Sequence, residues 1–229
     1  MLTNHLISPE IFERYPDYSV ALIQVRGIQG GVSNDQSEAL LKEAESATRE
    51  LLSETDLDEV EEVKAWRAAY ETFGVKPRIA RASFEALMRR VDKGLPRIDL
   101  LTDIYNAVSI IHRVPIGGEN LDRYEGVPQL VIATGEEQFE TRENGEEVTQ
   151  NPEPGEVIWR DDIGVTCRRW NWRQCTRTRL GEDIKTILFI IDSLGENSEA
   201  KAKAASERLL QELQNIWPNL DTELEIIHK

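Results

Sequence analysis

The chain has 229 residues, of which 40% are hydrophobic and 30% charged, a balance typical of a globular protein. Its formal net charge of −15 argues against nonspecific nucleic-acid binding, and two cysteines are too few for a disulfide framework. The sequence contains neither an apolar run long enough to cross a membrane nor a secretory signal in MLTNHLISPEIF, so we expect a cytoplasmic protein.

Helical periodicity dominates the first half of the chain, after one strand. YSVALIQVRGI (18–28) is rich in β-branched residues and predicts a buried strand that ends in a turn. Ser33 or Asn34 is then predicted to cap a helix that runs to about residue 53. Apolar stripes predict three further helices, from Asp58 to Gly74, at about 82–93 and at about 99–112.

Short strands dominate the second half. Residues 114–118 (VPIGG) are predicted to form a loop, and a last helix is predicted at about 197–216, before an edge strand at 224–228. The strands are predicted at 129–134, 137–142, 156–161, 165–172 and 185–192. The pattern predicts one α+β domain over residues 1–229, with a helical first half and a β-sandwich-like mixed sheet in the second half.

The stretch CRRWNWRQC (167–175) stands out in this acidic chain because it carries three arginines and two tryptophans. A metal site is disfavoured, since structural zinc requires four ligands and no histidine is near. A disulfide between Cys167 and Cys175, or a thiolate nucleophile at Cys167, is a weaker alternative in a cytoplasmic protein. We predict a core strand whose tryptophans pack in the core.

Alternation along that strand would divide its side chains between two faces. Arg168, Trp170, Trp172 and Gln174 fall on one side, and Cys167, Arg169, Asn171 and Arg173 on the other. The polar face suits an anionic or carbonyl-rich ligand, because arginine offers a planar fork of donors. A solvated face with surface salt bridges is the alternative.

A polar stripe is also predicted along the helix at 99–112. Asp99, Asp103 and Asn106 recur at three- and four-residue spacing, together with Ser109 or Thr102. Asp99 is also a candidate helix cap, whereas Asn106 has low propensity for the middle of a helix. In the loop that follows, Gly117 and Gly118 could bring backbone N–H groups close to a ligand.

Three segments together resemble a known family. They are WRAAYETFGVKPRIARASFEALMRRV (66–91), LPRIDLLTDIYNAVSIIHRVPIGGENLDRYEG (95–126) and RRWNWRQ (168–174). They resemble the editing domain of the β subunit of bacterial phenylalanyl-tRNA synthetase and its freestanding relatives, most strongly over residues 60–190. The resemblance implies a layered α+β fold and hydrolysis of mischarged aminoacyl-tRNA in trans. Gly117 stands where the synthetase domain has a histidine that helps hydrolysis.

The resemblance implies roles for particular side chains, and no cofactor or metal. Asn106 and Asp103 would orient a water or the α-amino group, and Gly117 and Gly118 would donate to the oxyanion. The expected substrate-binding residues are Asn171, Arg168, Arg169, Arg173, Glu136 and Ser109. The expected tRNA-facing residues are Arg81, Arg89, Arg90 and Lys93. The alternatives are a binding module without turnover, for tRNA or an amino acid, and a hydrolase of small amino-acid derivatives.

Overall fold

The computed structural model describes residues 5–181 and 184–229. Its helices are α1 (Pro9–Arg14), α2 (Asp35–Glu54), α3 (Glu61–Thr72), α4 (Ser83–Met88), α5 (Leu100–His112) and α6 (Ser198–Ile216). Its strands are β1 (Leu6–Ile7), β2 (Tyr18–Arg26), β3 (Ile116–Asn120), β4 (Gln129–Ile132), β5 (Phe139–Glu143), β6 (Glu146–Gln150), β7 (Val157–Arg160), β8 (Val165–Arg168), β9 (Arg173–Gln174), β10 (Thr186–Leu194) and β11 (Asp221–His228). The predicted α+β class is confirmed.

A four-stranded antiparallel sheet forms the centre of the core, in the order β11-β2-β10-β3. Its two inner strands, β2 and β10, each have nine residues and are buried almost throughout. That burial explains their continuous apolar, β-branched sequences, because both faces of an inner strand are covered. Helices α5 and α6 contact this sheet, and α2 packs on α5.

A second sheet has the order β1-β4-β7-β8-β9, in which β1 and β4 are parallel and the other pairs antiparallel. Beside it, β5 and β6 form a hairpin. The hairpin turn is Asn144-Gly145, and both residues have positive φ, as a tight two-residue turn requires. The strand predicted at 137–142 corresponds to β5, whereas β6 was not predicted, and neither were α1 and β1 at the start of the described chain.

The predicted strand at 165–172 is wrong beyond Arg168. Arg169 and Trp170 have φ values of 47° and 67°, so the chain turns there before β9 begins. The Trp170 ring is fully buried, with centroids 4.8 Å from Tyr15, 4.9 Å from Tyr18 and 5.1 Å from Trp66. Aromatic packing of this kind offsets the cost of a left-handed backbone at a bulky residue. The two-face alternation predicted for this segment therefore does not exist.

Two other boundaries differ from the predictions. The predicted loop at 114–118 gives way to a strand at Ile116, because this segment completes the edge of the four-stranded sheet. Gly118 leaves little room for a side chain there, since a Cβ would lie 2.9 Å from Leu180 and 3.3 Å from both Tyr105 and Phe189. The helix predicted at 82–93 ends at Met88 and is followed by a short 3-10 turn.

Candidate functional site

A cavity of about 200 Å³ lies at the β3 edge of the four-stranded sheet. Side chains of α5, β3 and β10 line it, together with the turn around Trp170. The lining residues are Ser83, Tyr105, Asn106, Ile116, Gly117, Gly118, Glu119, Trp159, Cys167, Trp170, Asn171, Trp172, Gln174, Ile190 and Asp192. The lining thus combines aromatic side chains with two carboxyl groups and three amides.

The register of β3 against β10 creates the floor of this cavity. Glu119 pairs with Leu188 and Gly117 with Ile190, and the Asp192 N–H donates to the Pro115 carbonyl at 3.0 Å. Side chains that face each other across an antiparallel pair share one side of the sheet, as do alternate residues of a strand. Glu119 and Asp192 therefore stand on one side of the sheet, with the bare backbone of Gly117 between them. A Cβ at Gly117 would meet no atom within 4 Å.

Asp192 lies at one end of the floor and is buried. Tyr18 donates its hydroxyl to the Asp192 carboxyl at 2.6 Å. Desolvation raises the pKa of Asp192 to about 7, although Tyr18, Asn171 and the indoles of Trp159 and Trp170 offset part of this rise. The buried Asn171 Nδ2 and both indole N–H groups lack a partner with hydrogen-bond geometry. These three N–H donors therefore lie near the Asp192 carboxyl without forming a hydrogen bond to it, and they remain available to a ligand.

Glu119 lies at the other end and is buried as well, and its Oε2 has no hydrogen-bond partner. Burial raises the pKa of Glu119 to about 8, and Thr178, Gln174 and the charge of Arg177 lower it only in part. Arg177 is committed elsewhere, because both of its terminal nitrogens donate to Asp161 at 2.8 Å. This carboxyl is therefore desolvated without a cation of its own.

Two asparagine amides also belong to the polar part of the lining. Asn171 accepts a hydrogen bond from the Tyr70 hydroxyl at 3.0 Å, which fixes the orientation of its amide. Asn106 lines the cavity from α5 and makes no hydrogen bond to another described residue, so its amide is free for a ligand. The structure thus brings together Asn106, Asn171 and the two glycines of the sequence-based prediction.

Gly117 and Gly118 differ in where their backbone groups point. Hydrogen-bonded pairs alternate along an antiparallel ladder, and the bond from Asp192 to Pro115 places Gly117 in such a pair with Ile190. Its N–H is therefore directed into the sheet, which corrects its predicted role as an oxyanion donor. The backbone of Gly118 points outward, and its carbonyl accepts from Gln174 at 2.9 Å.

Two predicted site residues of α5 have structural roles instead. Both oxygens of the buried Asp103 are occupied, by the Ser33 hydroxyl at 2.5 Å and by the Ile98 N–H at 2.8 Å. Ser109 is buried and donates to the Val114 carbonyl at 2.6 Å. Neither side chain lines the cavity. Asp99 caps the helix by accepting from the Thr102 N–H at 2.8 Å, the alternative role predicted for it.

The three arginines of the 167–175 stretch contact other protein groups and do not line the cavity. Arg168 is buried and forms a two-nitrogen ion pair with the buried Glu156, at 2.6 and 3.1 Å. Arg169 contacts the same carboxylate at 3.3 Å and lies over the Trp172 ring. Arg173 donates to the Arg142 carbonyl at 2.8 Å. The structure does not support the predicted substrate contacts of these arginines, because they donate to nearby acceptors of the protein and none of the three lines the cavity.

The remaining predicted residues lie outside the cavity lining. Glu136 is exposed on the loop between β4 and β5, beside a separate surface depression. Arg81 and Arg89 both pair with Glu85, at 3.5 and 3.0 Å, whereas Arg90 and Lys93 are exposed and make no ion pair with another residue that the structure describes. Only part of the predicted basic surface is therefore available to a polyanion.

The structure supports neither a disulfide between Cys167 and Cys175 nor a thiolate nucleophile at Cys167. Cys167 and Cys175 are both free, and burial raises the pKa of each thiol, which disfavours a thiolate nucleophile. Among the described residues, no group of three or more His, Cys, Asp or Glu side chains could hold a metal ion. No helix of residues 5–181 and 184–229 has the length and apolar character needed to span a membrane.

Sequence reasoning missed the two buried carboxyls, Glu119 and Asp192. One signal was available for Asp192, which interrupts the apolar run TILFIIDSL of a strand predicted to be buried. A carboxyl in such a place carries a large desolvation cost and often serves a function. Glu119 gave no comparable signal, because it directly follows the predicted loop at 114–118 and lies in no predicted strand or helix.

These features define an α+β protein with a cavity at a sheet edge that has aromatic side chains in its lining and a buried carboxyl group at each end. The chain belongs to the B3/4 domain family, whose model matches residues 65–213. This domain is found in the phenylalanyl-tRNA synthetase β subunit. The chain is similar in structure to an N-terminal fragment of the phenylalanyl-tRNA synthetase beta-subunit from Pyrococcus horikoshii, with 13% identity and a TM-score of 0.45. The match covers 98% of this chain and 50% of the fragment, so the chain spans about half its length. No curated protein sequence matches the chain.

Proposed function

We propose that this chain hydrolyses the ester bond of mischarged aminoacyl-tRNA in trans, as a cytoplasmic protein whose residues 1–229 form a single domain. The observation that carries the proposal is the juxtaposition of Asp192 with the amide of Asn171 in a cavity large enough for an aminoacyl group. Membership of the B3/4 family supports the choice of substrate. The core cluster that extends from Ile11 to Leu213 supports the single domain.

The chemistry requires a proton acceptor and donors for the oxyanion. Asp192 has a pKa of about 7, so at neutral pH a large share of it is ionised and can take a proton from an attacking water. The new C–O bond forms as the carbonyl oxygen becomes negative, and the amide N–H groups of Asn171 and Asn106 stabilise that charge. The ester C–O bond then breaks, and Asp192 returns the proton to the departing ribose oxygen. No covalent enzyme intermediate is required.

The tRNA must approach a chain of net charge −15, so its contacts depend on local basic residues. The exposed cations that make no ion pair with another described residue include Lys76, Arg78, Arg90, Lys93 and Arg179, and these are available to phosphates. We expect few phosphate contacts and therefore a shallow dependence of affinity on salt concentration.

The test is deacylation of a panel of correctly and wrongly charged tRNAs by the purified chain. Asn106→Ala removes one proposed oxyanion donor and should lower the rate about a hundredfold. Asn215→Ala is the matched control, because Asn215 is an exposed helical asparagine of α6, away from the cavity. Both variants should melt at nearly the same temperature. An Asn106→Ala variant as active as wild type would contradict the proposed role.

A second candidate function is binding of an amino acid or charged tRNA without turnover. One observation favours it: Gly117 replaces the histidine that the family resemblance predicts, and its N–H is bound in the sheet. Absence of hydrolysis across the whole panel, with retained binding of aminoacyl-tRNA, would select this candidate over the hydrolase.

A further inference from the structure

Glu119 has no part in the hydrolysis described above, although it occupies one end of the same cavity. It is 3% exposed, and its Oε2 has no hydrogen-bond partner. Burial of an unpaired carboxylate is costly, and a protein retains such a group where something else supplies the missing partner. The charge of Arg177 does not serve, because Asp161 binds it at 2.8 Å through both terminal nitrogens.

The distance between Asp192 and Glu119 along the cavity floor sets the length of a ligand that could contact both residues. Asp192 lies opposite Pro115, and Glu119 is four strand residues further along β3. Four residues of a β-strand span about 13 Å, and strand side chains stand roughly perpendicular to the sheet. One small group cannot contact both carboxyls. A ligand with its ester beside Asp192 needs an extended chain of several atoms to reach the other end.

The lining between the two carboxyls is apolar. Ile190 and the open backbone of Gly117 form the floor, and Trp172 contributes apolar surface to a wall. Such a surface suits methylene groups, whereas the carboxyl at the end suits a cation or a strong hydrogen-bond donor. The two unpartnered indole N–H groups of Trp159 and Trp170 show that the polar groups of this cavity are not satisfied within the protein.

We propose that the cavity selects an aminoacyl group with a long aliphatic side chain that ends in an ammonium, and that Glu119 binds this ammonium. The assignment rests on the proposed function in that the ester end of the ligand lies at Asp192. It extends that function by naming the substrate class: basic amino acids of about the length of lysine. The ammonium supplies the partner that Glu119 lacks, and the methylenes cover the apolar floor.

Binding of stable amides tests this assignment without any need for hydrolysis. The probes are L-lysine amide, L-norleucine amide, which has no terminal ammonium, and L-6-hydroxynorleucine amide, which keeps a donor but no charge. Titration calorimetry on the full chain at neutral pH should show lysine amide binding at least about tenfold more tightly than either analogue, because a charge-assisted hydrogen bond is lost in both. Glu119→Gln should abolish the preference. Glu50→Gln, at an exposed position of α2, should preserve it.

The outcomes separate this inference from the proposed function. Equal binding of the three amides, or a preference for lysine amide that survives Glu119→Gln, overturns the inference. So does the absence of binding by any amide at millimolar concentration. Ester hydrolysis on the tRNA panel would stand in each of those cases. A preference that depends on Glu119, without hydrolysis of any ester, supports the inference and refutes the hydrolase.

Discussion

Replacing Glu119 with glutamine should make the protein less sensitive to alkaline pH. The pKa of Glu119 is raised from 4.5 to about 8 because the ionised form is desolvated. The folded protein therefore holds a proton on Glu119 through the interval in which the unfolded chain has released it. The sign follows from linkage: stability falls as pH rises above the unfolded pKa and stops falling once pH exceeds the folded pKa.

The size of the stability loss follows from the raised pKa of Glu119. Between pH 5 and pH 8.5, the linkage relation gives a loss of about 4 kcal/mol in the free energy of unfolding from Glu119 alone, as an upper bound. Local relaxation and water entry reduce this value, so we expect about 2–4 kcal/mol. That is a large part of the total stability of a typical protein. Glutamine keeps the shape of the side chain and cannot ionise, so the variant should lack this loss.

The assay is urea denaturation of wild type and Glu119→Gln at pH 5 and pH 8.5, with the difference between the two proteins as the measured quantity. Other groups cancel in that difference, including His112, whose lowered pKa affects stability toward the acidic end of the same interval. The charges that act on Glu119, Arg177 and Asp161, keep their ionisation throughout. Asp17→Asn at an exposed site controls for loss of a charge. Parallel pH dependence in wild type and Glu119→Gln would refute the reasoning.

Three further substitutions test other parts of the structure. Gly117→Val should reduce deacylation at least about tenfold with little change in melting temperature, because the valine side chain enters open cavity space. Gly118→Val should instead destabilise the fold, because the valine would collide with neighbouring side chains. Equal activity of Gly117→Val and wild type would argue against the cavity as the site of hydrolysis. Arg168→Met should cost about 3 kcal/mol in urea denaturation, since it leaves the buried Glu156 without its main partner; a cost below about 1 kcal/mol would contradict this. Asn171→Ala should abolish turnover while lowering stability by only about 1 kcal/mol, the value of its bond with a tyrosine; a much larger loss of stability would make Asn171 a structural residue.

The sequence allowed prediction of those elements whose signals are local. The nine-residue strand β2 was predicted from its β-branched run, and α2 from the cap at Asn34 and its apolar stripe. The capping interaction is present, because Asn34 accepts from the N–H groups of Gln36 and Ser37. Such features depend on neighbours within one or two turns, so the residue pattern alone contains them.

The predictions that were wrong concern features that depend on contacts between segments distant in the sequence. Trp170 adopts a left-handed backbone because its ring fills a space between Tyr15, Tyr18 and Trp66, and no local pattern encodes that. The polar stripe on α5 was predicted correctly as a pattern. However, tertiary partners consume Asp103, whereas Asn106 remains free at the cavity. Spacing on one helix cannot distinguish these two outcomes.

The glycine at position 117 connects the family resemblance with the chemistry proposed for this chain. A side chain here would project over the floor of the cavity, where a Cβ now meets nothing within 4 Å. The resemblance predicts a histidine at this position, and its loss removes one proton acceptor while opening the floor. Ile190 lies opposite Gly117, and Asp192 is two residues further on the same side of the same sheet. With a pKa of about 7, Asp192 can accept a proton at the pH where a histidine would. The opened floor would then give a longer side chain a path to Glu119, so a single replacement would account for both the proposed base and the proposed specificity.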